Sequence, residues 1–516
     1  MKTILVKPSI KPLNRKQTIK KKTEPSVFNV TESEKNKLPD PEVVCDAEND
    51  VDWKGKQVDN DNIQVLWSDF RDNTTMHGLK NANLKQRHRL RCCIWAAALI
   101  SMGCFLIYIT YEQVSNYFKY PTIINTHVQT ETSVKFPAVT LCSASPLKKE
   151  SLPDILDLEY FFLSQSVIGW MYPPLNLSKS EYSRYHLPLN ASWVKDTANQ
   201  NEDLFLFCKF DGKDRDCESS MKPIVTQVGV CYTFNSRKYV SKKGHIMTSR
   251  TGSTSGLLLY LIVNQSNYVF NDVMAAGVKV IIHDQNDEPD VIDKGFFVSP
   301  GFSTFASIYK TEYRYLPSPF KMNGDQFCVD TKSLDYKNPL HYYDVYSKTA
   351  CRMECKQNHV IRLCGCRSPN DKGNETICSL VKLTECYKVE SERFDQNGTA
   401  QGQCLCPTEC EYDEYQAQLS TGSFPAKNYQ AVLNQMGIKN IRETYLELAI
   451  YFESLGVLKV EQKPEYSFED IIGLLGGQMG LFLGASLLTL TELIEVILLS
   501  SLVVGKKMYH RIVKRP

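Results

Sequence analysis

Two long apolar runs stand out in a chain of 516 residues that is otherwise mixed in polarity. The first run, CCIWAAALISMGCFLIYITY, occupies residues 92–111, and the second extends over residues 471–504. A helix needs about 20 apolar residues to cross a hydrocarbon core of roughly 30 Å, and both runs are long enough. The pattern therefore predicts a membrane protein with two transmembrane helices.

Basic residues flank both runs on the sides that face the chain termini. Such residues are enriched on the cytosolic side of membranes, so we expect both termini to be cytosolic in a two-span plasma-membrane protein. No removable signal peptide is expected, because residues 1–22 carry many lysines and no apolar core. The flanking residues are Lys85, Arg87, Arg89 and Arg91 before the first run, and Lys506, Lys507, Arg511, Lys514 and Arg515 after the second.

These runs divide the chain into six predicted segments. Residues 1–65 lack apolar periodicity and are expected to form a disordered cytosolic tail. The remaining segments are a cytosolic pre-span segment (66–91), the first span (92–111), an extracellular domain (112–470), the second span (471–504) and a short cytosolic tail (505–516). The net charge of +2 gives no indication of nucleic-acid binding.

Periodicity within the extracellular segment predicts an α+β fold. AGVKVIIHD and VKFPAVTLC are rich in β-branched residues and predict strands. YDVYSKTACRMECKQNHVIRLC and NYQAVLNQMG space their apolar residues three to four apart and predict helices. We expect a β-sheet body joined to a helical, thumb-like subdomain in the cysteine-dense region.

Cysteines support an extracellular location for this segment. It contains 14 of the 18 cysteines, and ten of them lie between Cys328 and Cys410. An even number in an oxidising compartment predicts disulfides. The spacings in CRMEC, CGC and CLCPTEC would also suit zinc, but few histidines lie nearby, so no metal site is expected. Five N-x-S/T sequons predict surface glycosylation, at Asn176, Asn190, Asn264, Asn374 and Asn397.

The second apolar run is built from poor helix-forming material. Its glycines recur at spacings near four and so form a stripe on one helical face. One interpretation is close packing between helices. The other is that the stripe, with Gln478 and Ser486, surrounds a water-filled path. The glycines are Gly473, Gly476, Gly477, Gly480 and Gly484.

Carboxylates favour the water-filled path. Glu492 and Glu495 would be costly within a span unless they served a conduction route. The run is also longer than one crossing needs, so it must tilt or break near Gly484-Ala485-Ser486. One chain with two spans cannot enclose a path, so this interpretation requires an oligomer.

The outer end of the second run carries acids. Ser467 and Asp470 match a helix-capping pattern. In an oligomer, Glu469 and Asp470 would also form a ring that concentrates cations at the mouth. The two interpretations are compatible.

Several motifs around the two runs resemble those of the degenerin, epithelial sodium channel and acid-sensing ion channel family. They are LLGGQMGLFLGAS, FPAVTLC, GVCYTFN, AGVKVIIHDQNDEP, YLPSPF, TACRMEC and the pair His77-Gly78. The resemblance extends from about Trp67 to Glu495. It implies a homo- or heterotrimeric, amiloride-sensitive channel that conducts Na⁺, with a large disulfide-rich ectodomain.

The resemblance also implies roles for individual residues. Gly484, Ala485 and Ser486 match the constriction and selectivity motif, and His77-Gly78 match a cytosolic gating motif that re-enters beneath it. Gly473 falls where bulky side chains hold family channels open. The implied disulfides are Cys142–Cys231, Cys208–Cys217, Cys328–Cys410, Cys351–Cys406, Cys355–Cys404, Cys364–Cys386 and Cys366–Cys378.

Departures from the family pattern bear on the stimulus. Pro121 and Thr122 stand where acid-sensing members carry a histidine pair, and Leu474 replaces an aspartate next to the gate. Asp287 and Glu288 remain from the acidic region. The changes favour the neuropeptide-gated branch, which includes cnidarian channels opened by short amidated peptides bound at subunit interfaces. Proton gating is the alternative.

One further departure lies at the junction between the ectodomain and the pore. Phe320 stands where the family carries a tryptophan. We expect its ring still to pack on Tyr120 and to couple the ectodomain to the spans.

Three other classes compete with a channel of this family. An ATP-gated channel has the same topology but gives no reason for GGQMG followed by GAS. A non-conducting cysteine-rich receptor gives no use for the carboxylates in the span. An ectoenzyme built on His283, Asp284, Asp287 and Glu288 lacks a nucleophile elbow or metal spacing. We therefore expect no catalytic residue and no cofactor.

Overall fold

The computed structural model describes residues 63–82, 89–153, 158–173, 190–322 and 324–513. The predicted tail 1–65 lies almost entirely outside these residues, as do Asn176 and Cys45. Residues 70–495 form one compact unit, and the described residues 63–69 and 496–513 belong to a second.

Helices occur at both ends of the chain and in the region rich in cysteine. A π-helical turn, Leu383–Lys388, connects the ninth helix to the tenth. The helices are α1 (Ile63–Asn73), α2 (Arg89–Tyr117), α3 (Leu158–Ser164), α4 (Ala191–Asp196), α5 (Asn201–Leu204), α6 (Cys217–Ser220), α7 (Arg237–Lys243), α8 (Lys348–Cys364), α9 (Leu380–Lys382), α10 (Val389–Gln396), α11 (Gly398–Gly402), α12 (Lys427–Gln435), α13 (Ile441–Thr444), α14 (Phe468–Leu483) and α15 (Leu487–Val513).

Strands fill the region between the two spans. The predicted strands in AGVKVIIHD and VKFPAVTLC are both observed, and the second is split in two at Phe136-Pro137. The strands are β1 (Thr122–Thr130), β2 (Val134–Lys135), β3 (Ala138–Ser143), β4 (Phe205–Phe210), β5 (Lys213–Arg215), β6 (Met221–Thr226), β7 (Gly229–Phe234), β8 (Met247–Thr248), β9 (Leu257–Ile262), β10 (Val278–His283), β11 (Phe296–Val298), β12 (Phe302–Arg314), β13 (Glu411–Ser423), β14 (Tyr445–Phe452) and β15 (Gly456–Pro464).

The larger sheet has eight strands and is organised around β12. Its order is β1-β15-β12-β14-β9-β4-β5, and β13 pairs with the other edge of β12. β14 and β15 both run parallel to β12, one beside residues 303–308 and the other beside residues 311–314. A five-stranded sheet of order β11-β10-β3-β7-β6 packs with it, and β2 pairs with β8.

The hydrophobic core lies between these sheets. Phe136 is fully buried, and its ring contacts those of Phe210, Phe234 and Phe452 edge to face at 5.0–6.0 Å. Alternating burial along β9 shows how the period of two places every second side chain in this core.

The first apolar run forms one long helix, α2, and the second forms α14 and α15. Leu90–Tyr117 and Leu487–Tyr509 are each long and apolar enough to cross a membrane. Their most apolar stretches of 18 residues have mean hydropathies of 2.2 and 2.1, and only 6% and 11% of those residues are buried. A core helix of a soluble protein would instead be mostly buried. The chain is therefore an α+β membrane protein with two transmembrane helices and a large ectodomain between them, as its sequence predicts.

The strands β1 and β15 connect the ectodomain to both spans. β1 follows α2 after four residues, and β15 leads into α14. The two strands pair antiparallel over nine positions, from Thr122 opposite Pro464 to Thr130 opposite Gly456. Each strand is thus joined to a span by a short connection.

Seven disulfides brace the ectodomain, and their pairs are the ones that the family resemblance implies. Five of them, in the region of α8, are nested along the chain. Cys328–Cys410 is the outermost pair and Cys366–Cys378 is the innermost. The α8 helix is capped by the Ser347 side chain and ends at Gly365 in the left-handed conformation. Cross-links of this kind stiffen a subdomain that has little core of its own.

A buried ion network joins β12 to β13. Lys310 is only 6% exposed, and its Nζ lies 2.8 Å from Asp413 and 2.6 Å from Glu312. Burial alone would raise the pKa of Asp413, but the positive charges of Lys310 and Arg314 outweigh it and lower that pKa. Burial likewise opposes the charge of Lys310, yet its two carboxylate neighbours raise its pKa.

We predict that Lys310→Met destabilises the ectodomain by about 3–5 kcal/mol, because it leaves Asp413 buried without its main partner. The depressed pKa of Asp413 contributes stability above its unfolded value of about 3.9, and this is lost as the pH falls through the folded value. Thermal unfolding of the purified protein from pH 3 to 8 should show the wild-type loss only in acid. In the variant the burial of Asp413 is no longer offset by Lys310, so the pKa of Asp413 rises and the stability difference from wild type should narrow as the pH falls.

Lys332→Met is the matched control, because Lys332 is 71% exposed where it pairs with Glu411. Equal losses in the two variants would contradict the role given to the buried network.

Candidate functional site

The second apolar run is interrupted at Gly484-Ala485-Ser486, between α14 and α15. Gly484 takes the left-handed conformation with φ 58° and donates its N–H to Gly480 O at 3.0 Å, while Ala485 N–H donates to Met479 O at 3.2 Å. These bonds close the C-terminus of α14. Ser486 begins the next helix, where its N–H donates to Thr489 Oγ1 at 3.0 Å.

His77 lies directly against this interruption. Its backbone N–H donates to Leu483 O at 3.1 Å. A Cβ built on Gly484 would lie 1.6 Å from His77 Nδ1. Glycine is therefore required at 484 for two reasons, the positive φ and the close approach of the imidazole. The structure brings together the two motifs that the sequence places more than 400 residues apart.

Gly78 fixes the other side of the same segment. Its φ is 84°, and a Cβ there would lie 3.1 Å from the ring of Trp95 in α2. The segment around His77-Gly78 is thus held between the first span and the break in the second.

The His77 segment lies against the second span, and we call this set of contacts its seat. Two threonines that the sequence analysis did not single out complete it. Thr75 Oγ1 and Thr489 Oγ1 lie 2.6 Å apart, and Thr74 Oγ1 donates to Glu492 Oε2 at 3.0 Å. Thr74 and Thr489 are 7% and 2% exposed. Their only signal in the sequence is their position, immediately before His77 in NTTMHG and three residues after Ser486.

The glycine stripe of α14 does not pack against the rest of this chain. A Cβ at Gly473, Gly476 or Gly477 would meet no atom within 4 Å, and one at Gly480 would meet only Ala485 O at 4.0 Å. α14 instead contacts α2 through other side chains, for example Phe482 against Phe105 at 5.1 Å. Packing between helices of one chain therefore does not explain the glycines.

Two polar residues beside the stripe have different surroundings. Ser486 is exposed. Gln478 is partly buried, and its Oε1 is shielded from solvent and has no hydrogen-bond partner among the described residues.

Acids lie at both ends of the second span. At the N-terminus of α14, Ser467 and Asp470 form a reciprocal cap with bonds of 2.9 and 3.1 Å, and Glu469 is exposed. Beyond the break, Glu492 is partly buried against Thr74, whereas Glu495 is exposed.

Aromatic and amide contacts join the ectodomain to the spans. The rings of Tyr120 and Phe320 meet edge to face at 5.4 Å, and Tyr120 has φ 52°. Gln462, only 5% exposed, was not singled out from the sequence. It donates to Thr122 Oγ1 and Lys321 O at 2.8 and 2.7 Å and accepts from Leu316 N–H at 3.0 Å.

A cavity of about 400 Å³ lies in the ectodomain between α3, α4 and the helical subdomain. Its walls are mostly apolar, and Asp272 is the one carboxylate among its described lining residues. Lys388 lies 3.2 Å from Asp272 and also donates to Gln165 O at 3.2 Å. An ion pair therefore lies among the residues that line the cavity.

The segment HDQNDEP is structural in this fold. The half-buried His283 lies between Thr140 Oγ1 and Asp284 O, each at 2.8 Å, and the shielding of its imidazole from solvent lowers its pKa. Glu288 pairs with Lys372 at 3.2 Å, and Asp287 accepts from Thr349. Among the described residues, no group of three metal-binding side chains occurs.

Four of the five predicted glycosylation sites lie in the described part of the chain. Asn190, Asn264, Asn374 and Asn397 are all exposed. Their modification stays a prediction.

We predict that Thr75→Cys with Thr489→Cys forms a disulfide when membranes are oxidised, because the 2.6 Å between the hydroxyl oxygens is close to the S–S bond length of about 2.05 Å. A protease site inserted after the exposed Lys243 would reveal this disulfide, because cleavage there separates position 75 from position 489 unless a bond joins them. No disulfide between described residues connects the two sides of that position, so a non-reducing gel shows one band only when the new bond forms.

Thr75→Cys with Thr491→Cys is the control pair, since Thr491 is exposed and bonds only within α15. Cross-linking of the control pair as fast as the test pair would contradict the seat described above.

Comparisons with known proteins agree with these features. A family model described as "Amiloride-sensitive sodium channel" matches residues 70–496. Acid-sensing ion channel 4 of Rattus norvegicus is 33% identical over 441 residues, which cover 83% of this chain and 78% of the relative. Acid-sensing ion channel 2 of Homo sapiens is 29% identical over 454 residues, 83% of this chain and 85% of the relative.

A solved structure titled "Cryo-EM structure of a proton-activated chloride channel" is similar at a TM-score of only 0.27 and 9% identity, over 79% of this chain and 95% of that chain, which is too distant to support any argument. The family match and the relatives show that the chain belongs to the degenerin, epithelial sodium channel and acid-sensing ion channel family of amiloride-sensitive sodium channels.

Proposed function

We propose that this chain is a subunit of a trimeric, ligand-gated sodium channel in the plasma membrane, in which ions pass a constriction at Gly484, Ala485 and Ser486. The observation that carries the proposal is the interruption of the second span at these residues, seated on His77. Broken helices at membrane depth are tolerated where they line a water-filled path, and their free carbonyl groups can face ions.

The open glycine face of α14 supports a path between subunits. Three copies arranged around an axis would place the stripe from Gly473 to Gly480 along the opening. Glu492 and Glu495 would then follow the constriction on the side of the cytosolic termini. Glu469 would stand at the outer mouth with Asp470, whose carboxylate also caps its own helix. A ring of these carboxylates would attract Na⁺. It would also attract Ca²⁺, which would then either pass through the channel or block it.

Coupling from the ectodomain to the gate would run through β1 and β15. These strands are joined to α2 and α14 by connections of four and three residues, and the Tyr120–Phe320 contact holds the loop after β12 against the same junction. The nested disulfides make the helical subdomain a stiff lever. A ligand opens the channel only to the extent that it binds the open state better than the closed one.

We favour a short amidated neuropeptide as the ligand. Pro121, Thr122 and Leu474 stand where the acid-sensing pattern has titratable groups. The cavity beside the helical subdomain is mostly apolar and contains the ion pair Lys388–Asp272, whose charged atoms lie 3.2 Å apart.

Proton gating is the second candidate, and two buried carboxyl groups favour it. Burial raises the pKa of Asp371 and of Glu409, both in the cysteine-dense region. Asp371 also accepts a hydrogen bond from Tyr387 at 2.5 Å. A conformation that buries these groups more deeply would bind protons more tightly and would gain population as the pH falls.

We predict that Gly473→Phe produces a standing Na⁺ current in oocytes, because the bulky ring would keep the second spans apart. The current should be blocked by amiloride and should vanish when Na⁺ is replaced by a large organic cation. Gly505→Phe is the control, since a Cβ there also meets no atom within 4 Å, but it lies on α15 beyond the break. Absence of current with every related subunit tested would favour a non-conducting receptor.

The stimulus is tested separately, by applying short C-terminally amidated peptides, their free-acid forms and steps from pH 7.4 to 5.0. We expect current with an amidated peptide only. Current evoked by acid alone, and lost in Asp371→Asn with Glu409→Gln, would replace the peptide with protons as the stimulus.

A further inference from the structure

The seat of the His77 segment on the second span has a regular geometry. Residues 74, 75 and 77 contact residues 492, 489 and 483 in that order, so the segment runs antiparallel to the span. The contact at its far end involves a charged group, whereas the other two are neutral.

The hydroxyl of Thr74 is oriented by two bonds. Its oxygen accepts the N–H of Met76 at 3.4 Å, which leaves its hydrogen to donate to Glu492 Oε2 at 3.0 Å. Thr74 is 7% exposed, so water competes little for this bond. A hydroxyl that donates to a carboxylate restrains the position of the acceptor.

Glu492 is the carboxylate whose position this bond decides. It follows Ser486 by six residues, or about 9 Å along a helix. The other carboxylate in this span, Glu495, is exposed, and among the described residues no side-chain hydrogen bond fixes its position. A charge held at a set distance acts on passing ions with a defined field, while a mobile one is averaged over many positions.

We infer that Thr74 is a positioning residue for ion selectivity, which acts by holding the Glu492 carboxylate beside the conduction path. The inference rests on the proposed function, since it needs ions to pass near Glu492.

The test uses the Gly473→Phe background and measures the reversal potential in mixtures of Na⁺ and K⁺. Thr74→Val keeps the shape of the side chain but cannot donate, and should lower the Na⁺/K⁺ permeability ratio by at least about twofold, the lower end of coupling within one hydrogen-bond network. Thr74→Ser keeps the hydroxyl and should restore the ratio.

Two controls separate positioning from simple loss of the seat. Thr75→Val breaks the neighbouring contact with Thr489 without touching Glu492 and should leave the ratio near its starting value. In a Glu492→Gln channel the charge is gone, so adding Thr74→Val should change the ratio no further. The inference would be overturned if Thr74→Val and Thr75→Val changed the permeability ratio equally, or if Thr74→Val added its full effect to that of Glu492→Gln. Neither result would count against the proposed channel function.

If the Gly473→Phe channel passes no current, that result counts against the proposed function. A labelling experiment then still tests the inference. In a full chain with Cys45, Cys92, Cys93 and Cys104 replaced by Ser, Thr74→Cys should react slowly with a membrane-permeant maleimide. Glu492→Ala should accelerate the reaction severalfold by removing the side chain that covers it. Equal rates with and without Glu492→Ala would overturn the inference independently of any current.

Discussion

The approach of His77 to Gly484 is the contact on which the rest of the membrane region depends. Any side chain at 484 would collide with the imidazole, and the positive φ already excludes most residues. Without this pair, the second apolar run could continue as one helix from α14 into α15. Gly484 breaks the helix and His77 occupies the break. Each residue is thus required by the other, although they come from opposite ends of the chain.

This contact also explains why the material of the second span is weak. Glycines cost helix stability, about 1 kcal/mol each relative to alanine, and they gain nothing here by packing within the chain. The helix is stabilised instead at its ends, by the Ser467–Asp470 cap and by the bonds that close it at Gly484. A helix fixed at both ends and open along one face can present that face to other copies of itself.

Periodicity and cysteine content were enough to predict the fold class, the two spans and the helix at 348–364, because each depends on local pattern or on counting. The seven disulfide pairs and the His77 seat came from family resemblance, since the spacing of cysteines leaves many pairings open. Thr74, Thr75 and Gln462 were missed for a physical reason. Each is an ordinary polar residue whose importance arises from partners 140 to more than 400 positions away, and single-sequence patterns carry no information on such contacts.

The arrangement of β1 and β15 sets a condition on how the ectodomain can act on the gate. Nine paired positions make the two strands move as one ribbon, so a force on the ectodomain reaches α2 and α14 together. Gln462 makes three hydrogen bonds at the end of this ribbon and ties it to the loop that carries Phe320. Breaking one of these bonds would leave a buried polar group unpaired, which costs about 1–3 kcal/mol, comparable to a typical coupling energy between two sites. The junction can therefore stay intact while the spans move. In the proposed function, the change in shape on gating would then occur where the helix has no packed face, along the glycines of α14.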